Sequence, residues 1–599
     1  MAALKIENLI TDHLDLWTAA VRPKSSAGRG SNSKLELTGI KKLRELILEL
    51  AVRGKLVPQD PSDEPASVLL ERIAAEKARL VKEKKIKKEK PLPAISEDEK
   101  PFELPKGWEW CRFEDIVDIQ SGITKGRKLT NRVLTTVPYL SVANVQRGYV
   151  DVTGIKSVEL PVDEVEKYQV LTGDLLITEG GDWDKVGRTA IWADEMPYVA
   201  HQNHVFKART FLQEQDESWL EMFLNGPSAR DYFAGSSKQT TNLASINKTQ
   251  LRGCLIAIPP KNEKSYIVAK VDELMTLCDQ LEQYSESQLA AHQTLVETLL
   301  ATLTDSGDAE ELSQNWARLS THFDTLFTTE TSIDALKQTI LQLAVMGKLV
   351  PQDPSDEPAI DLLNRLVSKR DEWLKKESKE NSEAMTMLRK LKKLTVPTAP
   401  FELPKAWACA HLIQLSQMLV DCHNKTAPYV EVGIPIIRTT NIRERQFIDR
   451  DLKFVSKETY DYWSRRCPPE PGDIIFTREA PMGEALIIPA GETWCLGQRT
   501  MLIRPMHEFV SNKFLLLALT EPHLLERASE HAVGLTVKHL RVGDVENLSI
   551  PLPPLAEQHR IVAKVDELMA LCDQLTSRLQ TSQQTQLALA ESLVEGALA

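Results

Sequence analysis

Long apolar runs are missing from the 599-residue sequence; none reaches the ~18 residues that a membrane span requires. The first 21 residues carry Glu7, Asp12 and Asp15, a pattern that fits neither a secretory signal nor a transit peptide. Cysteine is sparse, with 8 residues, no CxxC pair and no regular Cys/His ligand spacing. The expectation is reduced thiols in a cytoplasmic protein, with no metal. An excess of positive charge is also missing, since 73 Lys and Arg face 85 Asp and Glu for a net charge of −12. A general polycation is excluded, but local basic surfaces on an acidic scaffold are not. No GxxxxGK[ST] loop is present, which argues against ATP hydrolysis on this chain, and no NPPY- or DPPY-type motif marks an adenine methyltransferase site.

What the sequence does contain is a copy of itself. GKLVPQDPSDEPA begins at Gly54 and again at Gly347, IVAKVDELM at Ile267 and Ile561, and FELPK at Phe102 and Phe401. Pro259-Pro260 matches Pro553-Pro554, and Gly173-Asp174 matches Gly472-Asp473. All these separations lie between 293 and 299 residues and keep one order, so the chain is a tandem duplication. From about Trp108 to Ile256 and from Trp407 to Ile550, by contrast, almost nothing agrees. Near-identical connectors therefore flank divergent segments. A duplicated catalytic domain would keep its reactive residues in both copies, whereas two divergent surfaces on one scaffold suit two different recognition tasks.

The connectors read as helices. Ile267, Val271, Leu274, Cys278 and Leu281 alternate spacings of four and three, as do Ile561, Val565, Leu568, Cys572 and Leu575, which is a heptad seam. Ser285, Gln288 and His292 continue that spacing before Leu295 and Leu299 are expected to resume the seam. Further helices are expected over Thr38–Val52 and Ser332–Val345, each stopped by a glycine (Gly54, Gly347), and over Leu69–Val81 and Leu362–Leu374. The divergent segments hold short β-rich runs such as Asp174–Thr178 and Asp473–Thr477 between Gly, Asn and Pro, and are read as compact α/β domains.

Charge is unevenly spread within them. Between Gln120 and Val150 five basic residues, Lys125, Arg127, Lys128, Arg132 and Arg147, occur with no acidic one, together with Asn131, Asn144 and Gln146. A second acid-free stretch, Tyr232 to Asn262, holds Lys238, Gln239, Asn242, Asn247, Lys248, Arg252 and Lys261. The second copy offers Asn424, Lys425, Arg438, Asn441, Arg443, Lys538, His539 and Arg541. Lys and Arg bind phosphates, and Arg, Asn and Gln can pair bidentately with purine edges, so these are the candidate DNA contacts; solvated loop charge is the plainer reading of any one of them. The basic runs Lys82–Lys90 and Arg389–Lys393 read as solvated helix ends. Glu179, Asp182, Asp184 and Lys185 form an acidic cluster of nuclease type, but the second copy has Arg478-Glu479-Ala480-Pro481 there. His201 and His204 are spaced like a metal pair, yet Gln498-Arg499 stands at the corresponding place, and a core or polar role is preferred.

GKLVPQDPSDEPA, FELPKGW from Phe102 and the closing PLPPLAEQHRIVAKVDEL from Pro551 resemble the specificity subunits of type I restriction–modification systems. The resemblance runs over nearly the whole chain and keeps the order variable domain, helix, variable domain, helix. It departs in the first copy, where IPPKNEKSYIV replaces the pair Glu557-Gln558, and in the length of the helical segment before the first variable domain. It implies an α+β fold, two α/β target recognition domains separated by long antiparallel coiled-coil helices, tandem-duplicated with pseudo-two-fold symmetry. The expected division is residues 1–100 helical, 101–258 first recognition domain, 259–400 central helices and linker, 401–552 second recognition domain, and 553–599 terminal helix. It further implies a non-catalytic subunit that reads a bipartite double-stranded DNA target and positions two modification and further restriction subunits. S-adenosylmethionine, ATP and Mg would reside on those partners. The alternative is a coiled-coil scaffold whose two divergent domains bind proteins or small ligands.

Because the divergent segments have repeated borders, each is expected to behave as a cassette. Replacing Trp108–Ile256 by the segment of a relative should alter one half of the methylated motif and leave the other half as it was, read by mapping methylation in cells.

Overall fold

The computed structural model describes residues 6–598 apart from 24–34, 125, 127–128, 130–131, 182–184, 241–242, 308, 424 and 531–538. The chain divides into two compact units, Met1–Ser287 with Ser582–Ala599, and Gln288–Thr581. Four helices carry the repeated sequence: α1 (Thr38–Val52), α2 (Lys261–Asp305), α3 (Glu330–Val345) and α4 (Leu555–Leu598). The first unit holds the first part of α2 and the last part of α4; the second unit holds the remainder of each.

The heptad seam is buried at its start. Ile267, Val271, Leu274 and Cys278 are buried, as are Ile561, Val565, Leu568 and Cys572; Leu281 and Leu575 are half-buried. Beyond that point the expectation fails. Leu295 is 50% exposed and Leu589 53%, while Val296, Leu300 and Leu303, and Leu587 and Ala590, are buried. The buried residues now lie 22 positions after Leu274, Cys278, Leu281, Val565 and Leu568, not the 21 that three heptads would give. At ~3.6 residues per turn, a step of 21 lags the starting face by about 60° and a step of 22 overshoots it by only about 40°. The long helices thus keep one face in the way a straight helix does.

The repeated motifs are repeated because they touch. Gly54 ends the stretch after α1 in a left-handed conformation (φ +63°), and a Cβ there would lie 2.6 Å from Pro105 and 2.9 Å from Trp108. Gly347 stands in the same relation to Pro404 and Trp407, at 2.6 and 2.8 Å. The Trp108 indole Nε1 donates to the Glu263 carboxylate (3.1 Å), which also accepts from Gln59 Nε2 (2.5 Å). In the second unit Trp407 (3.1 Å) and Gln352 (2.6 Å) donate to Glu557. Burial pushes the carboxyl pKa of Glu263 and Glu557 up, against the pull of these donors. The NEK sequence of the first copy is therefore less of a departure than its letters imply. Glu263 does what Glu557 does, and Lys264 replaces Gln558, its buried Nζ donating to the carbonyls of Glu214 (2.8 Å) and Gln215 (2.9 Å).

Each divergent segment is closed by its own ends. Glu109–Arg112 pairs antiparallel with Leu255–Ile258, and Ala408–His411 with Ser549–Leu552. Inside lies a four-stranded antiparallel sheet. In the first unit β1 (Val117–Gln120), β2 (Leu175–Thr178), β3 (Thr189–Ile191) and β4 (Val205–Thr210) take the order β1-β4-β2-β3. In the second, β5 (Ser416–Asp421), β6 (Ile474–Thr477), β7 (Ala485–Ile487) and β8 (Thr500–Pro505) take the corresponding order β5-β8-β6-β7. The central strands β2 and β6 are buried at every residue, which needs only apolar side chains of suitable volume and so permits the sequences to diverge. A second, smaller sheet flanks each one, with one parallel pair, Ala200–His201 on Tyr139–Leu140 and Cys495–Leu496 on Ile436–Ile437.

A strap of chain connects helix to domain and is latched in both units. Arg112 donates to the carbonyls of Pro93 (3.0 Å) and Gly253 (3.2 Å), and His411 is bonded to those of Thr395 (3.1 Å) and Asn547 (2.9 Å). The second point of the latch has reversed charge. Three residues before the exit strand the first unit has buried Arg252, bonded to Glu114 (2.6 Å) and to the Lys90 carbonyl (2.6 Å), with Glu89 at 3.7 Å. The second unit has buried Glu546 there, paired with Lys390 at 2.5 Å. Arg252 is thus a tether and not the surface cation expected of it. An exchanged segment that ends at Ile256 and brings an acid to position 252 would set it against Glu89, which stays behind on the strap. Such a chimera should unfold at lower denaturant than one that also exchanges residues 83–107. Separately, Glu557→Ala leaves the buried Trp407 indole N–H without an acceptor, at about 1–3 kcal/mol; a loss of that size should appear in urea unfolding, with Glu557→Gln losing less.

Candidate nucleic-acid interface

In an antiparallel sheet the ends of alternate strands meet the starts of their neighbours. At one end of the first sheet β1 and β2 finish while β3 and β4 begin. The loop after β1 carries Lys125, Arg127, Lys128, Asn131 and Arg132; the first four lie outside the described residues. Arg132 pairs with Asp163 (2.5 Å) and Glu164 (2.6 Å), so its charge is largely offset. The hairpin between β2 and β3 is tied by Thr178, whose hydroxyl donates to the Lys185 carbonyl and accepts from the Arg188 amide (3.0 Å). Onto its first residues, Gly180–Gly181, pairs the ribbon of Lys238–Thr240 and Leu243–Ser245. Lys238 and Gln239 lie on that ribbon; Asn242 lies outside the described residues. The turn with Gln146 and Arg147 is drawn to the same end, since the Gly148 amide donates to Thr189 (3.0 Å) and Arg188 donates to Gln146 (2.7 Å). Gln146, Arg147, Arg188 and the strand that carries Lys238 and Gln239, far apart in sequence, therefore gather on one rim.

The second unit repeats the arrangement. Thr477 ties the hairpin from β6 to β7, donating to Pro481 (2.6 Å) and accepting from the Glu484 amide (2.9 Å). Arg478 is held by Asp421 (2.9 Å) at the end of β5 and by the Leu540 carbonyl (3.1 Å). His539 forms an isolated bridge with Glu479, and the Arg499 amide lies 3.1 Å from the Cys422 sulfur. After β5 the His423 ring stacks on Trp463, 4.4 Å between centroids, with exposed Tyr462 beside it and Arg465 4.0 Å above the Tyr462 ring. Partial desolvation and then the charges of Arg465, Lys425 and Arg466 hold the His423 pKa down. Asn424 and Lys538 lie outside the described residues.

Four expected contacts are committed elsewhere. Asn144 is buried, accepting from Ser141 and donating to the Asp151 carbonyl (2.9 Å). Asn441 does the same work, donating to Ile448 (3.1 Å) and Arg450 (3.0 Å). Both asparagines shape a turn. Arg438 pairs with Asp451 (3.1 Å), and Arg443 donates to the carbonyls of Thr439 (2.8 Å) and Ile442 (2.5 Å). His201 is a core residue: burial lowers its pKa to about 4, and Nδ1 meets the Val205 carbonyl at 2.7 Å. Glu179 pairs with His204 at 2.7 Å, Asp182 and Asp184 lie outside the described residues, and among the described residues no His/Cys/Asp/Glu group is placed to hold a metal. Arg188, His204, Arg465, Arg478 and Arg499 were not anticipated. The run Tyr462-Trp463-Ser464-Arg465-Arg466 carried a readable signal, aromatic residues beside basic ones; the others are placed by strand register alone.

Relatives bear on this surface. A family model for the type I restriction modification DNA specificity domain matches residues 105–291 and 422–582; the first stretch contains its four-stranded sheet, the second all of its own but the edge strand β5, and each includes the start of a long helix. Over 605 residues, 99% of this chain and 100% of the relative, the sequence is 39% identical to the type I restriction enzyme EcoAI specificity subunit of Escherichia coli. It is 39% identical over 627 residues to the EcoEI specificity subunit of Escherichia coli, again covering 99% and 100%. A solved chain from a type I R-M system, described for its complex assembly and conformational transition, is 16% identical with a TM-score of 0.47, covering 83% of this chain and 99% of that one. Matched end to end by full-length relatives and twice by the family model, the chain belongs to the specificity subunits of type I restriction–modification systems, the non-catalytic subunits that recognise DNA.

Proposed function

We propose that residues 101–258 and 401–552 are two target recognition domains, each reading one half of a split DNA site through the rim described above. The observation that carries this is convergence. Polar and basic residues separated by a hundred positions in sequence meet at the same end of two equivalent sheets whose sequences differ. Phosphate contact falls to the cations on the outer loops, and base contact to side chains fixed by strand ends. The repeated helical regions, residues 1–100, 259–400 and 553–599, offer equivalent docking faces for two modification subunits, with restriction subunits joining them. S-adenosylmethionine, ATP and Mg belong to those partners, and the complex works in the cytoplasm. No helix among the described residues is long and apolar enough to cross a membrane.

Lys425 and Arg465 test the phosphate role in the assembled complex with its modification subunits. Each phosphate contact contributes about 0.9 to the slope of log K against log salt on duplex DNA. The double change Lys425→Ala, Arg465→Ala should therefore lower that slope by up to about 2. It should weaken binding to cognate and random DNA alike, measured by titration at several salt concentrations. An unchanged slope would mean that this rim does not face the duplex.

A further inference from the structure

At the same point of each rim, a carboxylate grips a nitrogen-bearing side chain. His204 is the last residue before β4 and Arg499 the last before β8. The backbone frame around them is the same: the Glu179 amide donates to the His204 carbonyl (2.9 Å) and the Arg478 amide to that of Arg499 (2.9 Å). One step further out, the Ile246 amide donates to Glu179 (2.9 Å) and that of Leu540 to Arg478 (3.0 Å). On this common frame the first unit pairs His204 with Glu179 at 2.7 Å, and the second pairs Arg499 with Glu479 at 2.8 Å. The carboxylates come from positions one residue apart, so the pairing is rebuilt on different residues and not inherited as a motif.

We propose that these two pairs, Glu179–His204 and Glu479–Arg499, are the base-reading elements of their domains, and that they make the two half-sites chemically unlike. The inference rests on the DNA-reading role of the rim. In both pairs the nitrogen-bearing partner is the more exposed one, 53% for His204 against 27% for Glu179, and 60% for Arg499 against 20% for Glu479. A half-sunken carboxylate holding one nitrogen of an outward side chain fixes its rotamer while leaving its other nitrogens free, which is what selective contact with a base edge requires. Glu179 holds His204 by Nδ1 and leaves Nε2, a single donor or acceptor. Glu479 holds Arg499 by Nε, and the two Nη nitrogens make no hydrogen bond among the described residues, a free fork of the shape that matches guanine O6 and N7. Arg499 also sits at φ +69°, a left-handed conformation that costs a non-glycine residue energy and is kept where the side chain's direction matters.

The test uses the complete methyltransferase complex, methylation mapping in cells and binding to a randomised duplex library at fixed salt. Arg499→Lys keeps the charge and removes the fork; Arg499→Asn removes the charge and suits the left-handed backbone, so the fold is kept. Both should relax one base pair of one half-site, a guanine position, by about 5- to 150-fold, the worth of a bidentate contact, and leave the other half-site intact. The Lys variant should retain the wild-type salt slope. His204→Gln should relax a single position in the other half-site, and more weakly. Uniform weakening on all sequences, or unaltered discrimination at every position in both Arg499 variants, overturns the proposal. A wild-type complex without salt-dependent DNA binding would instead overturn the DNA-reading role itself.

Discussion

The buried carboxylate at the head of each long helix is the contact on which the rest is built. Glu263 and Glu557 take two donors each, an indole from the entrance of the sheet domain and an amide from the turn after the preceding helix. That one acceptor joins three segments far apart in sequence, and Gly54 or Gly347 closes the gap because no Cβ fits against Pro105 and Trp108, or Pro404 and Trp407. The acid is costly to bury, as the upward shift of its pKa shows, and worth the cost because leaving its donors unmatched costs more. A junction of this kind tolerates almost no change. The near-identity of GKLVPQDPSDEPA and FELPK across the repeat follows from it without any appeal to DNA.

The same junction frees the domains to diverge. Their two ends pair with each other in a short antiparallel clasp, so a domain is an excursion that starts and finishes at the head of a helix. What lies between must fold, fill β2 or β6 with apolar side chains and present a rim; it need not resemble its counterpart. The strap also couples inside to outside, and there the two units use opposite charges, Arg252 in one and Glu546 in the other. With two near-identical connectors in one chain, opposite polarity at the latch disfavours seating a strap on the wrong domain, because the mismatched pairs would place like charges together.

Much of the helical frame was legible in the sequence, since periodicity, glycine stops and repetition are local signals. Thr38–Val52 is the helix expected, and the seam is buried through Cys278 and Cys572. The seam failed past that point because a heptad count assumes 3.5 residues per turn, and the error accumulates until Val296 replaces Leu295. The rim was half legible. Stretches without acids marked the right loops, but a side chain's direction is set by tertiary bonding. Asn144 and Asn441 look like base readers in a list of polar residues and are turn formers in space. Arg252 looks like a phosphate contact and is a tether. His204 and Arg499 drew notice only as an aligned place where a metal-like spacing in the first copy fails in the second, and not as DNA contacts, because their significance lies in standing one residue before a strand whose neighbour brings a glutamate.

Reading DNA with an acidic chain is then a matter of placement. The acids do not oppose the rim; several organise it. Asp421 steadies Arg478, Glu479 aims Arg499, and Glu179 aims His204, each at less than 3 Å. A cation held by a carboxylate gives up part of its attraction for phosphate in general and gains a fixed direction, so it loses to a free lysine on random DNA and wins where one base edge matches. Cations not paired with a carboxylate, such as Arg465 over the Tyr462 ring, supply the general attraction that a carboxylate-held cation lacks. The net charge of −12 therefore restrains non-specific binding without preventing specific binding, and the division of labour between free and held cations is what lets a search across the genome end at a particular sequence.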